Sequence, residues 1–326
     1  MMSDASTSVD NRALHAVRAW TAASLRPADW LVTVPAEVQR EMDEAINGYR
    51  SSRAEITSLC SANFSLDSSR ALMEGIRQML DTGAGFAVLD RFCTDRYAKN
   101  ELKVIYWLLS QLIARPVPQA PDGTLLHDVI DTGRKLSERV RGDLTNQELQ
   151  WHTDNGFSEP PRYFGLAVLR TAREGGDSKV ANLVTAHQRL AERLQPLLDR
   201  LYRPFHWRRI GDYGDGGDSI ADYPVYARNG TEIMCRVNRR VIEAGYHAAG
   251  EPLDPAGRDA INALYSVLDE ADFAFCYRLE PGQMQWTNNL ALAHHRTAFA
   301  DWDDPDRRRH LVRIYLRNTG NATYLG

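Results

Sequence analysis

The chain has 326 residues, of which 43% are hydrophobic and 25% charged, as in an ordinary globular protein that can enclose a pocket. A net charge of −4 without a basic stripe argues against nucleic acid as a partner. No stretch approaches the ~18 consecutive apolar residues of a membrane span, and no signal-peptide pattern begins the chain, so the sequence predicts a cytoplasmic protein without membrane contact.

The N-terminal part is predicted to be mainly helical over residues 11–60. Apolar residues recur every three or four positions across residues 36–49, which predicts a helix with one apolar face. Capping candidates at residues 65–69 begin a second helix, residues 86–89 form a short buried strand, and residues 97–114 form a third helix.

From about residue 125 the pattern changes to short β-rich runs separated by turns, which favours a β-sandwich or barrel-like core. The predicted strands are residues 163–169, 179–183, 273–279 and 311–316, with a further β region of unclear register between residues 226 and 237. Two predicted helices, residues 185–200 and 255–271, interrupt the strands. Residues 211–222 are rich in glycine and aspartate and predict a mobile loop that could act as a lid.

The first chemical motif is Trp151-His152-Thr153-Asp154. In a strand, residues two apart point to the same side, so His152 and Asp154 can direct an imidazole and a carboxylate at one point. Two histidines and one carboxylate on one face of an octahedron are the ligand set of non-haem iron(II) oxygenases. Four widely spaced cysteines without a CxxC pair predict neither a disulfide framework nor a thiolate zinc site.

A distal histidine completes this ligand set. His294 and His295 are adjacent in the sequence LALAHHRTAF, and on one strand they face opposite sides, so only one can reach the metal. The sequence favours His294.

The last motif, RRRHLVRIYLR, alternates apolar and polar residues like a strand. Arg309 and Arg313 are an even number of residues apart and therefore share a strand face if the strand begins early enough to include both. Guanidinium groups suit a dicarboxylate co-substrate, because they bind carboxylates in a bidentate geometry. The EGGDS turn at residues 174–178 supplies a further hydroxyl, that of Ser178, for the same carboxylate.

In these motifs and their order, the sequence resembles the TauD/TfdA group of 2-oxoglutarate-dependent dioxygenases, within the clavaminate synthase-like superfamily. The resemblance rests on VRGDLTNQELQWHTD, on GLAVLRTAREGGDSKVANL, and on the stretch from PGQMQWTNN to RRRHLVRIYLR, and it covers residues 83–320. It implies an α+β, mainly β fold with a double-stranded β-helix (jelly roll) core. Residues 1–82 would be a helical extension packed on the core, and residues 83–326 the oxygenase domain with helical insertions, in one structural unit.

The resemblance also implies iron(II) as the metal, 2-oxoglutarate as co-substrate and O2 as oxidant. The family's iron ligands correspond to His152, Asp154 and His294. Decarboxylation of 2-oxoglutarate to succinate and CO2 would be coupled to C–H hydroxylation of a small molecule, such as an amino acid or a natural-product intermediate. Because Asp154 keeps the carboxylate that related halogenases replace, hydroxylation or a related oxidation is favoured over halogenation.

The family's remaining site residues can be carried over in the same way. Arg313 and Ser178 would hold the far carboxylate of 2-oxoglutarate, and Arg309 would contact its 2-oxo-acid end. The candidate substrate contacts are Gln147, Asn146, Trp151 and Asn289.

Several alternatives stay open. Many relatives have glycine after the distal histidine, whereas His295 here adds a polar group near the site. Desaturation or cyclisation would follow from the same chemistry, and a catabolic oxygenase of a small organic acid fits as well. A zinc hydrolase or isomerase would not need Arg309 and Arg313, and a non-catalytic metal-binding β-helix protein would be expected to have lost a ligand or an anchor.

Overall fold

The computed structural model describes residues 17–52, 54–134, 142–209, 219–230 and 232–325. The α-helices of these residues are α1 (Ala36–Ser52), α2 (Asp67–Asp81), α3 (Lys99–Ile113), α4 (Leu183–Arg193), α5 (Gln195–Leu201), α6 (Arg239–Ala249) and α7 (Pro255–Leu268). Across the part of the chain that is described, none of the helices has the length and apolar character needed to span a membrane.

The strands of the described residues are β1 (Leu31–Val32), β2 (Phe86–Leu89), β3 (Arg115–Val117), β4 (Leu126–Val129), β5 (Leu149–His152), β6 (Tyr163–Arg170), β7 (Glu174–Gly175), β8 (Ser178–Asn182), β9 (Phe205–Arg208), β10 (Ile220–Tyr223), β11 (Tyr226–Asn229), β12 (Glu232–Cys235), β13 (Phe275–Tyr277), β14 (Met284–Asn288), β15 (Leu292–Arg296), β16 (Phe299–Ala300) and β17 (His310–Arg317). The large sheet has the order β1-β2-β14-β6-β17-β3, with β4 also paired to β17. The small sheet has the order β13-β8-β15-β5, and the other strands form two-stranded ladders.

The inner faces of the two sheets pack against each other. One apolar cluster contains Phe86, Val168 and Leu311 from the large sheet together with Val180 and Leu292 from the small sheet. Apart from the parallel β1–β2 pair, the pairings within both sheets are antiparallel. Two mostly antiparallel sheets enclosing a shared core are a double-stranded β-helix, which confirms the predicted fold class.

Helices cover the outer face of each sheet. Side chains of α1, α2 and α3 share one buried cluster with Trp286 and Val312 of the large sheet. Side chains of α4 to α7 share another with Ala181 and Ala293 of the small sheet. These sheet residues alternate with the inward-facing ones, as the period of two along a strand requires.

Strand β17 shows how this alternation positions functional side chains. Val312, Ile314 and Leu316 face the helices of the large sheet. Arg313, one position out of phase, therefore faces the space between the sheets, where the residue is 6% exposed.

Most of the predicted elements are confirmed, with shifts of a few residues at their ends. Three predictions need correction. The helix predicted over residues 185–200 is two helices, α4 and α5, because the backbone leaves helical geometry at Leu194. The region after residue 237 contains the unpredicted helix α6, which Asn238 caps by accepting a hydrogen bond from Val241 N.

The third correction concerns the predicted loop at residues 211–222. Residues 220–222 belong to β10, where Ala221 pairs with Trp207 of β9. Residues 211–218 lie outside the described residues, so the lid remains a prediction.

Candidate active site

Two rows of side chains cross the inner face of the small sheet. In the first row, His294 of β15 lies opposite His152 of β5 on one side and Val180 of β8 on the other. In the second row, Arg296 lies opposite Ser178. The rows are two residues apart along antiparallel strands, which separates them by about 7 Å.

Asp154 joins the first row from the turn that follows β5. Its Oδ1 lies 3.9 Å from His152 Nε2, and its Oδ2 lies 3.8 Å from His294 Nε2. Ligand atoms of all three residues lie within 4.8 Å of one another. This is a 2-His-1-carboxylate group whose size fits one metal ion.

The protonation states of the two histidines also fit a metal. Burial lowers the pKa of His152 and lowers that of His294 well below its ordinary value, with His152 adding to the second effect. Both imidazoles are therefore neutral near pH 7, as metal ligands must be. His152 Nδ1 lies 2.8 Å from the Gln150 carbonyl oxygen and donates to it, which leaves the Nε2 lone pair for the metal.

His295 has different partners. Its Nε2 lies 2.7 Å from Glu148 Oε1, and its ring centroid is 5.1 Å from that of Trp151. Of the two adjacent histidines, His294 is the one that the structure brings to Asp154.

Asn289 shapes the turn that holds Asp154. Its Oδ1 accepts a hydrogen bond from Asp154 N at 2.7 Å, and its Nδ2 donates to Asp154 O at 2.9 Å and to Pro161 O at 3.1 Å. The next residue, Asn155, has a φ of 56°, in the left-handed region. The structure thus places the predicted substrate contact Asn289 on the backbone of a metal-ligand candidate.

Arg313 lies at the metal end of the site. Its Nη1 is 3.6 Å from Asp154 Oδ1, and its Nη2 is 2.9 Å from Asp143 Oδ2. Its Nε donates to Gln119 Oε1 at 2.8 Å. Burial opposes the charge of Arg313, but Tyr315, Asp143 and Asp154 raise its pKa above the ordinary value.

Arg309 lies beside the second row. A Cβ placed on Gly176, two residues before Ser178, would be 3.3 Å from Arg309 Nε. Burial first, and then the charge of Arg296, lower the pKa of Arg309 to about 9. Arg309 Nη1 is buried and has no hydrogen-bond partner among the described residues. A buried cation with a spare donor is a site that an anion would complete.

Two cavities meet at the 2-His-1-carboxylate group. We call the first the co-substrate cavity, because the predicted co-substrate residues Ser178 and Arg309 line it; Arg296 and the metal-ligand candidates line it as well. We call the second the substrate cavity; it shares His152 and Asp154 with the first, and its other lining residues include Phe157, Trp207, Arg240 and Tyr324. Asp143, Leu149 and Arg313 line both cavities.

The remaining predicted substrate contacts lie around this site. Trp151 is 4% exposed, and its Nε1 donates to Asp269 Oδ1 at 2.8 Å, in the cluster beneath α4 to α7. The backbone carbonyl of Gln147 accepts from Arg296 Nη2, and that of Asn146 accepts from Phe299 N at 3.1 Å.

Sequence reasoning missed Gln119, Asp143 and Arg296 as site residues. Asp143 and Arg296 lie inside the segments that carry the family resemblance. A search of those segments for charged residues at buried positions could have identified both. Gln119 has no such signal, because it reaches Arg313 from a position 194 residues away.

Comparisons with known proteins agree with this geometry. The family model "Taurine catabolism dioxygenase TauD, TfdA family" matches residues 52–315. FR-33289 synthase of Streptomyces rubellomurinus is 23% identical over 303 residues, covering 91% of this chain and 88% of that protein.

Two solved structures share the fold. Asparagine oxygenase in complex with Fe(II), 3-hydroxyasparagine and succinate has a TM-score of 0.69 at 19% identity, covering 88% of this chain and 93% of the other. The non-haem iron oxygenase OrfP in complex with Fe and 2-oxoglutarate has a TM-score of 0.66 at 15% identity, covering 90% and 99% of the two chains. With its HxD…H group and the match over residues 52–315, the chain belongs to the TauD/TfdA family and is an iron(II)- and 2-oxoglutarate-dependent oxygenase.

Proposed function

We propose that this oxygenase hydroxylates a C–H bond of a small molecule, with an amino acid or an amino-acid-derived natural-product intermediate as substrate. The observation that carries the proposal is the convergence of His152, Asp154 and His294 on one point, where two adjoining cavities meet. In this proposal the three residues bind iron(II). The bound metal and 2-oxoglutarate supply the oxidising power, through decarboxylation of the co-substrate to succinate and CO2.

The two arginines exchange the roles that the family resemblance implies. Arg313, within 3.6 Å of Asp154, serves the metal end of the co-substrate cavity. Arg309 and Ser178, beside the second row, hold the far carboxylate. The spacing supports this order, because the rows are separated by about 7 Å, close to the extended length of a five-carbon diacid.

The substrate cavity supports a small zwitterionic substrate. Arg240 and Asp143 both line it, so side chains of both charge signs border the space that an amino acid would occupy, and Asp143 also pairs with Arg313 at 2.9 Å. The two structural neighbours, one with bound 3-hydroxyasparagine and the other determined also with hydroxylated arginine, agree with this class.

The test is a turnover assay with iron(II), 2-oxoglutarate, ascorbate and O2, in which succinate is measured with a panel of amino acids and small organic acids. We expect one group of compounds to raise succinate formation and to gain one oxygen atom by mass. His152→Ala should abolish both signals, whereas Arg115→Gln, at an exposed arginine outside both cavities, should leave them unchanged. Failure of 2-oxoglutarate to bind the iron form would overturn the proposal.

A further inference from the structure

Arg296 has a side chain that the proposed reaction does not yet use. It is 7% exposed, lies beside Ser178 in the strand register, and lines the co-substrate cavity. Because it is two residues from His294 on the same strand, it faces the same side of the sheet as that ligand candidate.

Among the described residues, only one of the three guanidinium nitrogens of Arg296 has hydrogen-bond acceptors. Its Nη2 donates to the carbonyl oxygens of Thr145, at 2.8 Å, and Gln147. Its Nε and Nη1 are buried, and no described residue accepts a hydrogen bond from either. Nη2 is thus bound to the segment before β5, whereas Nε and Nη1 retain donors without an acceptor among the described residues.

Arg296 and Arg309 form a pair of buried cations. Their guanidinium carbons lie 4.8 Å and 5.0 Å from the centroid of the same ring, that of Phe299. Each has a buried Nη1 without an acceptor in the described part of the chain. The charge of Arg296 helps to lower the pKa of Arg309, so an anion that both guanidiniums contact would stabilise both charges.

We propose that Arg296 is a second guanidinium for the far carboxylate of 2-oxoglutarate, acting together with Arg309 and Ser178. Through Thr145 and Gln147 it also couples occupancy of the co-substrate cavity to residues 142–149. That segment includes Asp143 and Leu149, which line the substrate cavity as well. Co-substrate binding therefore orders one wall of the substrate cavity. This inference rests on the proposed binding of 2-oxoglutarate.

The experiment measures binding without turnover. The protein is loaded with Mn(II), kept free of O2, and titrated calorimetrically with 2-oxoglutarate or with 2-oxovalerate, which lacks the far carboxylate. Arg296→Gln should weaken 2-oxoglutarate binding roughly 10- to 100-fold, as expected for loss of a charged hydrogen bond. It should leave 2-oxovalerate binding unchanged. Arg115→Gln is the matched control, since Arg115 also donates to a backbone carbonyl, that of Gly320, but lies on the surface.

Hydrogen exchange measures the coupling. In the wild type, 2-oxoglutarate should slow amide exchange over residues 142–149, and in Arg296→Gln this slowing should be lost while that near Ser178 remains. If Arg296→Gln does not fold, Arg296→Lys, which keeps the charge but loses the fork of donors, should show the same selective loss in weaker form.

Equal weakening for both 2-oxo acids, or no weakening for either, would overturn the inference, because Arg296 would then act through packing alone or not at all. If the wild type itself fails to bind 2-oxoglutarate, the proposed function falls and the inference falls with it.

Discussion

Asn289 holds the turn at Asp154 with its side-chain amide. Three hydrogen bonds connect that amide to the backbone of Asp154 and Pro161, and the residue is fully buried. Such positioning matters because β5 ends at His152, so no strand geometry directs Asp154 toward the metal position. The HxD motif therefore depends on a residue 135 positions away for its carboxylate geometry.

We expect Asn289→Ala to lower the free energy of unfolding by about 2–4 kcal/mol, since buried backbone groups lose their partners. Metal affinity should fall roughly 10-fold or more, as it does when groups that orient ligands are removed. Denaturant unfolding and Mn(II) titration check the two effects. Asn100→Ala, at an exposed position on α3, should stay within about 0.5 kcal/mol of the wild type. Unchanged metal affinity in a stable Asn289→Ala protein would contradict this role.

At the scale of elements, the contact of β6 with α3 and β14 depends on Gly165. A Cβ at this position would be 2.4 Å from Tyr106 Oη and 2.8 Å from Trp286 Cδ1, and both rings are fully buried. The absent side chain lets the helix and the neighbouring strand approach the middle of the large sheet. The opposite face of the large sheet, which this packing supports, carries Arg313.

Gly165→Ala should therefore destabilise the protein by about 1–3 kcal/mol through overpacking. Gly75→Ala is the control, because its Cβ would meet nothing within 4 Å on the exposed face of α2. That substitution should stabilise by about 0.4–1 kcal/mol, since alanine restricts the unfolded chain. Equal denaturation midpoints for the two variants would show that the close approach at Gly165 does not contribute to the stability of the protein.

Asp128 connects three elements. On β4, it accepts a hydrogen bond from His310 Nε2 of β17 at 2.8 Å and forms an ion pair with Lys103 Nζ of α3 at 2.7 Å. The hydrogen bond from His310, with help from Lys103 and against the effect of burial, lowers the pKa of Asp128 to about 2. The carboxylate is thus more acidic in the folded state than in the unfolded state.

A lowered folded-state pKa stabilises the protein above the unfolded pKa of about 4, and this contribution is lost as the pH falls toward 2. Asp128→Asn should thus be less stable than the wild type by on the order of 1 kcal/mol at pH 6, after allowance for solvent screening of a partly exposed group. The difference should shrink between pH 4 and pH 2 in thermal melts. A difference that stays constant over this range would rule out the ionised carboxylate as its cause.

At the scale of the whole molecule, the site brings together side chains that favour bound ligands through a lone pair or a charge. Two neutral histidines and a carboxylate face one point, and two buried guanidiniums face a cavity next to it. These groups lie between the two sheets, so ligands that bind there contact both halves of the jelly roll. Ligand binding should consequently stabilise the entire fold.

Mn(II) should raise the melting temperature of metal-free protein, and 2-oxoglutarate should raise it further. At a ligand concentration 100 times Kd, each step adds about 2.7 kcal/mol to the free energy of unfolding. Differential scanning calorimetry measures both steps. At the same ligand concentration, the second increment should be smaller with 2-oxovalerate, which has no far carboxylate to reach the paired guanidiniums. Identical increments for the two 2-oxo acids would argue against an anion site at the far end of the cavity.

Local patterns were enough to predict much of this protein from its sequence. Helical spacing predicted α1 to α3, and the apolar run at residues 86–89 matches β2. The parity of adjacent residues likewise separated His294 from His295. These features depend only on the period of a helix or strand, which neighbouring residues impose on one another.

Only the tertiary structure shows which groups each of the two arginines contacts. Strand alternation predicts a shared face for Arg309 and Arg313 only if one strand contains both, and β17 begins at His310, one residue after Arg309. Their positions depend on the large sheet's placement over the small one, which brings Arg313 to Asp154 and Arg309 to Phe299. The contacts of Gln119 with Arg313 and of Asn289 with Asp154 are equally non-local. Such pairings arise from packing between distant segments, so no local period in the sequence encodes them.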